Sequence, residues 1–382
     1  MSELLYPVWD YLRELFSTRL PYFPSNIRSA LFIVLFCCIA FIELYLYIFV
    51  RRIRQTIAKK KEDKWNDTIS TLLADIIIYG DDDDIDTIIN HFLPQFKKLP
   101  LRRPLIKRLL TRELLSYHAN FIGKTAEVLR GLYLRLNLEK EAKAKLKSNY
   151  WEKKIEGIRE ITQMNLRTEA ESILKFTDEE NGQLRMEAQA AFVKLSDDNP
   201  FRFLDRARER ILDWHQLVLF EVITKTKNVK IPAFAKWLKS ENDSVVMLCL
   251  KLVNHFQQWD AIPDMVVLFG HSNLKIRARA IENIGKMEAE MVEENLFNMY
   301  FNQPFEIKLL VIEAIGRISS GTYLEFLKSR TYSDDFKIRM AALKAIKLHG
   351  SDGKNLLTNI YKDSTLQNRA IIEHVLDERI KN

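Results

Sequence analysis

A helical pattern recurs along the second half of the chain. It is clearest in the four segments ENGQLRMEAQAAFVKL, SNLKIRARAIENIGKM, QPFEIKLLVIEAIGRI and SDDFKIRMAALKAIKL. Each segment has a turn residue, then an apolar residue followed by a basic one, then small or apolar residues three, six and seven positions after the basic one. Self-similarity of this kind is the signature of a repeat architecture, so it constrains the fold more than any other feature.

The basic residue of the pattern serves as a phase mark for eight copies. The phase marks are Lys154, Arg185, Gln216, Val246, Arg277, Lys308, Arg339 and Arg369, at intervals of 31, 31, 30, 31, 31, 31 and 30 residues. Degenerate marks such as Val246 keep the phase of the others, which chance does not explain. The pattern therefore predicts eight stacked helical repeats, because no single copy can bury its apolar face alone.

Each copy carries the signals of a helix that packs closely on its neighbours. In the fifth copy, the residues Ile276, Ala280, Asn283, Ile284 and Met287 share one helical face. The third position after the mark is small in five copies: Gly157, Ala188, Cys249, Ala280 and Ala342. Residue types that favour helix N-caps precede four marks by four positions: Asn181, Asn242, Asn273 and Asp335. Prolines at 200, 232 and 263 predict the first turn of a second helix in three of the repeats.

This unit resembles the HEAT-like repeats of bacterial proteins, in the short class related to phycobilisome-lyase repeats. The resemblance rests on the pattern [ND]-x-x-[IL]-[RK]-x-x-A-x-x-A-[IL] and covers residues 148–382. It implies an all-α fold, a right-handed α-solenoid of about eight 31-residue helix-turn-helix repeats whose second helices line the concave surface. It also implies structural roles for the basic residues at the phase mark, which bond an acidic or amide group of a neighbouring turn. These residues are Arg185, Arg277, Lys308 and Arg339, and a phosphate-binding row is the alternative.

An apolar run from Ser29 to Val50 predicts a single transmembrane helix. Its 22 residues would rise about 33 Å, enough to cross the bilayer core. A cleaved signal peptide is the rival interpretation, but the run is too long for its apolar region and no small-x-small cleavage site follows. Glu43 is the one ionisable residue of the run and a candidate contact with a partner helix in the membrane. The alternative is a protonated Glu43 bonded to Tyr47.

Charges that flank the run predict its orientation. Residues 51–64 hold seven basic and two acidic residues, which supply +5 of the net charge of +7. By the positive-inside rule this end is cytoplasmic, and we expect a single-pass protein of the bacterial inner membrane. The basic residues are candidate contacts with anionic lipid: Arg51, Arg52, Arg54, Lys59, Lys60 and Lys61. The rest of the chain is nearly neutral, so no nucleic-acid partner is expected.

The chain thus divides into five predicted segments. They are an extracytoplasmic segment with a short amphipathic helix (1–28), the transmembrane helix (29–50), a basic juxtamembrane segment (51–64), atypical capping helices (65–147) and the solenoid (148–382). The aspartates at 81–84 and 86 predict a turn that caps a helix beginning near Ile85, since the run lacks the glycine and glutamate of an EF-hand. Residues 97–112, with seven basic residues and no acid, form either a solvated face or a second contact with anionic lipid.

No motif of a known enzyme class is present in the sequence. It contains no GxxxxGK[ST], GxSxG, HExxH or CxxC, and its seven histidines form no cluster at ligand spacing. Three cysteines exclude a disulfide framework. The sequence therefore favours a non-enzymatic, membrane-tethered scaffold without cofactor or small-molecule substrate. Its partner would be a protein bound on the cytoplasmic solenoid, for example an integral membrane enzyme such as a glycosyltransferase. The alternative is a lyase or isomerase that uses the solenoid groove.

Overall fold

The computed structural model describes residues 24–79, 84–226, 229–364 and 366–377, together with Arg13 and Tyr22. This part of the chain is all-helical and contains no strand, which confirms the all-α prediction. It forms two compact units, which divide between Leu138 and Glu139.

The described residues of the first unit form four α-helices. These are α1 (Ser25–Ile78), α2 (Ile85–Lys97), α3 (Pro104–Asn120) and α4 (Lys124–Arg135). The last turns of α1 pack on α3, and this end of α1 buries Ile69, Leu73 and Ile76 at helical spacing. Arg112 on α3 also donates to Glu62 Oε1 at 3.2 Å and to Asn66 Oδ1 at 3.1 Å. The C-terminal end of α1 is therefore part of a folded core.

Helix α1 is a single helix of 54 residues, without a break at 50/51 or at 64/65. It contains the one stretch in the described residues that is long and apolar enough to cross a membrane, and none of that stretch is buried. Residues 51–64 continue the helix between this stretch and the packed end, and we call them the stalk. At about 1.5 Å per residue the stalk is about 21 Å long.

Helix α2 begins at Ile85, as the aspartate run predicts, but the described aspartates do not cap it. Asp84 precedes the helix, and its side chain makes no capping hydrogen bond. Asp86 instead accepts a hydrogen bond from Arg135 Nη2 on α4 at 2.9 Å, because α2 and α4 pack side by side. The rest of the predicted turn, at 81–83, and the predicted amphipathic helix within 1–28 lie outside the described residues.

The second unit has fourteen described α-helices. They are α5 (Glu139–Leu146), α6 (Trp151–Gln163), α7 (Ala170–Leu174), α8 (Gly182–Leu195), α9 (Asp213–Lys225), α10 (Asp243–His255), α11 (Ile262–Val267), α12 (Leu274–Lys286), α13 (Glu293–Tyr300), α14 (Phe305–Ile318), α15 (Leu324–Arg330), α16 (Phe336–Lys347), α17 (Gly350–Asp363) and α18 (Leu366–Leu376). Helix α5 lies in this unit and not with the capping helices of 65–147. It packs on α6, where the Ala142 carbonyl would be 2.8 Å from a Cβ atom at Gly157.

The predicted period is present in the helix boundaries. Eight of the described helices, α6, α8, α9, α10, α12, α14, α16 and α18, begin 31, 31, 30, 31, 31, 31 and 30 residues apart. We call these the repeat helices. Each contacts the next one, and each has its phase mark as its fourth residue. The third residue after the mark is buried in all eight: Gly157, Ala188, Leu219, Cys249, Ala280, Val311, Ala342 and Ile372.

All four predicted N-caps are formed. The side-chain oxygens of Asn181, Asn242, Asn273 and Asp335 each accept a hydrogen bond from a backbone N–H in the first turn of their repeat helix. These bonds satisfy donors that a helix leaves without an internal partner. The caps explain why the repeat helices begin where the sequence predicts.

Most elements between the repeat helices are shorter than a helix-turn-helix pair implies, although α17 has 14 residues. Pro263 lies in the first turn of α11, as predicted, but α11 has only six residues. After Pro200 and Pro232 the chain forms 3₁₀ segments, Arg202–Asp205 and Phe234–Lys239, and not α-helices. The repeat helices have 11 to 14 residues, so a repeat of about 31 residues has room for few further helical turns between its two loops.

Candidate protein-binding surface

The phase-mark arginines Arg185, Arg277 and Arg339 bind the turn that precedes their own helix. The backbone carbonyl acceptors are those of Glu179 and Glu180 for Arg185, of His271 for Arg277, and of Ser333 and Asp334 for Arg339. Arg185 also donates to the carbonyl of Arg210, in the loop before the next repeat helix. Arg277 also donates to the Gln303 side-chain amide oxygen at 2.7 Å. A bound phosphate would have to compete for donors that already hold the turns between repeats.

Lys308 occupies the same position but makes a different contact. Its ammonium nitrogen lies 5.6 Å from the centre of the Tyr300 ring, within the range of a cation–π interaction. Tyr300 ends the short helix α13, just before the repeat helix that carries Lys308. Like the arginine hydrogen bonds, this contact therefore joins a repeat helix to the segment that precedes it.

Three ionisable groups lie inside the array. Burial and the Arg185 charge lower the pKa of His215, which is only 4% exposed. Burial and the Arg279 charge also lower the pKa of Lys251, whose ammonium donates to Gln216 Oε1 at 3.0 Å. Burial raises the pKa of Glu293, which accepts a hydrogen bond from the Ser320 hydroxyl. The three groups lie on different helices, and no hydrogen bond or ion pair among the described residues joins any two of them.

A cleft of about 790 Å³ lies beside the loop of residues 206–210. Its polar groups hold that loop in place. Asp178 accepts from the Arg208 and Glu209 backbone N–H groups, and the Asn242 amide donates to the carbonyls of residues 207, 208 and 209. No group of three or more His, Cys, Asp or Glu side chains in the described residues could hold a metal ion.

An apolar row that is not buried crosses the repeat helices one residue after the phase mark. We call it the apolar row: Met186, Leu217, Met247, Ala278, Leu309 and Met340. Leu217 is 63% exposed, and the other five are half-buried. Because the repeat helices share one register and each contacts the next, these side chains recur on one face of the array. Three methionines give that face side chains that adapt to different partners.

The sequence analysis missed the apolar row, although a signal for it exists. The residue after the phase mark is apolar in all eight copies, including Ile155 in the first and Ala370 in the last. Apolar residues at a constant position suggest burial, and Ile155 is indeed buried at 8% exposure. Only the packing in the structure shows that, in the other copies, most residues at this position are accessible at the surface.

A cleft of about 500 Å³ lies at the first end of the apolar row, where α6, α8 and α9 meet. We call it the tryptophan cleft. Its lining residues are Trp151, Glu152, Ile155, Glu156, Arg159, Gln183, Met186, Glu187 and Trp214. Trp151 is 36% exposed and Trp214 is 50% exposed. Large exposed indole rings beside carboxylates are typical of binding surfaces and not of solvated faces.

The candidate membrane residues all lie on the surface of α1. Glu43 is exposed, and within the described residues no hydrogen bond joins it to Tyr47. Six of the seven basic residues of the stalk are the candidate lipid contacts Arg51, Arg52, Arg54, Lys59, Lys60 and Lys61. They are exposed and form no ion pair in the part of the chain that the structure describes. In the stretch 97–112, by contrast, Arg112 is paired with Glu62.

Comparisons with known proteins do not assign a family. No family model matches the sequence, and no curated protein matches it. Among solved structures, two engineered proteins of the Northeast Structural Genomics Consortium are similar to it at 13% identity. One covers 55% of this chain and 95% of its own with a TM-score of 0.30, and the other covers 82% and 94% with a TM-score of 0.34.

Proposed function

We propose that this chain is a membrane-tethered scaffold that binds a protein partner through a HEAT-like α-solenoid. The observation that carries the proposal is the apolar row, which remains half-buried or exposed on six consecutive repeat helices of one register. Apolar surface of this extent is costly in water unless a partner covers it. The eight helix starts at intervals of 30 or 31 residues support the right-handed solenoid that the HEAT-like resemblance implies.

The tether in this proposal is the apolar part of α1. The stalk carries seven basic residues without ion-pair partners among the described residues, which suits contact with anionic lipid on the cytoplasmic side. The second unit would then lie in the cytoplasm of a bacterial cell. A partner in the same membrane, such as a glycosyltransferase, would be held beside the anchor by its own cytoplasmic part.

Partner capture from membranes tests the scaffold. The tagged full-length chain is extracted in mild detergent from cells that express it at its natural level, and stoichiometric proteins are identified by mass spectrometry. We expect Leu217→Lys to lose the partner, because it places a charge at the most exposed position of the apolar row. Val267→Lys is the matched control, since Val267 is 69% exposed but lies on α11 outside the row. Equal capture by both variants would contradict the proposal.

Alkaline carbonate washing tests the tether. The wild-type chain should remain in the membrane pellet, because a transmembrane helix resists extraction that removes surface-bound proteins. A C-terminal reporter should be protected from protease added to the outside of intact cells. Recovery of residues 51–382 as a soluble species from wild-type cells would contradict the anchor.

A further inference from the structure

We infer that the tryptophan cleft binds a lysine or arginine side chain of a basic, amphipathic segment in the partner. This inference rests on the proposed function, since the cleft is continuous with the apolar row through Met186. The occupant is a protein segment with apolar side chains against the row and a cation in the cleft.

The charge of the cleft favours a cationic occupant. Its lining has three carboxylates, Glu152, Glu156 and Glu187, and one cation, Arg159. The cation is already used, because Arg159 Nη2 donates to Glu187 Oε2 at 3.0 Å and this contact raises the pKa of Arg159. An anionic ligand would therefore meet an excess of negative charge and no unpaired cationic side chain in the lining.

One of the three carboxylates is available for a partner. Glu187 is paired with Arg159, and Glu156 accepts from the Lys153 ammonium at 3.0 Å. Glu152 is exposed and has no ion pair or hydrogen bond to another described side chain. An incoming cation at Glu152 would gain an ion pair without displacing an existing one.

The two indole rings complete the site. Trp151 precedes Glu152 on α6, and Trp214 lies on α9 at the same register position as Glu152. A cation over the face of an indole ring is attracted to the negative face of the ring, and tryptophan is the best side chain for this contact. The aliphatic stem of lysine or arginine would lie against Ile155 and Met186.

The source that best fits this chemistry is a cytoplasmic segment of an integral membrane protein. Cytoplasmic segments next to transmembrane helices carry an excess of Lys and Arg, and they would lie on the same side of the membrane as the cleft. An amphipathic basic segment presents apolar anchors and cations on one helix, which matches a row that ends in an acidic, aromatic cleft.

Peptide binding to the full-length chain in phosphatidylcholine nanodiscs tests the inference. The probe is a surface-immobilised synthetic peptide of twelve residues built from Leu and Lys in amphipathic order, and the counter-probe has Glu in place of Lys. We expect the Lys peptide to bind and the Glu peptide not to bind. Glu152→Gln and Trp214→Leu should each weaken Lys-peptide binding by about tenfold, as expected for a partly desolvated cation contact.

Two matched controls separate the cleft from general effects. Glu306→Gln changes an exposed carboxylate at the register position of Glu152 in the sixth repeat, and Trp259→Leu changes an indole that is 48% exposed outside the cleft. Neither should alter binding. Equal binding of the two peptides, or unchanged binding by both cleft variants, overturns the inference. The scaffold proposal is judged separately, because it stands if Leu217→Lys loses the natural partner while the cleft variants keep it.

Discussion

Gly316 on α14 lies so close to Ala345 on α16 that a Cβ atom at position 316 would be 2.5 Å from the Ala345 Cβ atom. The same relationship occurs one repeat earlier, where a Cβ atom at Gly285 would be 2.8 Å from the Ala314 Cα atom. In both pairs a glycine eight residues after the phase mark meets an alanine six residues after the next mark. Helices α12 and α14, and likewise α14 and α16, therefore approach each other along a seam where the glycine leaves no room for a Cβ atom.

This seam predicts that Gly316→Ala destabilises the protein. Alanine favours a helix by about 1 kcal/mol over glycine, but forcing a methyl group against a helix backbone costs about 1–3 kcal/mol. We expect a net loss of up to about 2 kcal/mol, seen as a lower Tm of the full-length chain in detergent. Gly270→Ala is the control, because nothing lies within 4 Å of its added Cβ atom. A Tm for Gly316→Ala equal to that of the control would show that the seam can open without cost.

Burial at the third position after the phase mark gives a second prediction. Ala280→Asp and Ala342→Asp should each lower the free energy of unfolding by about 3 kcal/mol or more, because each places an unpaired charge between packed helices. Ala278→Asp, on the half-buried side of the same helix, should cost much less. Chemical denaturation measures the difference, and an unchanged midpoint for either buried variant would mean that the repeat phase is wrong.

The caps can be tested with adjacent aspartates. Asp335 accepts hydrogen bonds from the Lys337 and Ile338 backbone N–H groups at 2.8 and 3.1 Å, so Asp335→Ala should cost about 1 kcal/mol. Asp334→Ala removes the same charge from the neighbouring exposed residue, whose side chain does not cap the helix. The two variants are compared by thermal unfolding at one pH. Equal losses would indicate a general charge effect and not a cap.

His215 should make stability depend on pH. Burial lowers its pKa in the folded state below the usual value of about 6.5. As the pH falls below about 6.5, the unfolded chain binds a proton before the folded chain does, so the free energy of unfolding decreases. In His215→Gln the free energy of unfolding should fall less at low pH than in the wild type. His374→Gln, which changes an exposed histidine on α18, should behave like the wild type. Unfolding midpoints between pH 5 and pH 8 measure the effect, and identical curves for wild type and His215→Gln would contradict it.

The last prediction concerns the anchor. If α1 only tethers the scaffold, an unrelated single-pass helix in place of residues 29–50 should preserve partner capture, because the repeat surface is far larger than one helix face. If Glu43 contacts a partner helix, the exchange should fail and Glu43→Gln should fail in part, since Gln keeps hydrogen bonding without the charge. Glu43→Leu would then be the most severe point change. Loss of the partner by a folded chain with the exchanged anchor would place Glu43 in the binding site.

The starts of the repeat helices and their caps were predictable because they depend on residues that are neighbours in the sequence. Asn273 caps α12 through the N–H group two residues later, and the apolar face of that helix follows the 3.6-residue period. The apolar run within α1 was predictable for the same reason, since length and hydropathy are properties of one continuous segment.

What only the tertiary structure decided depends on residues that are distant in the sequence. Asp86 pairs with Arg135, 49 positions away, and does not cap its own helix, because α2 and α4 lie side by side. Ile155 and Leu217 occupy the same register position, yet one is 8% exposed and the other 63%, because exposure depends on which neighbouring helix covers the position. Periodicity determines which face of a helix is apolar, but the packing of distant segments determines how much of that face remains for a partner.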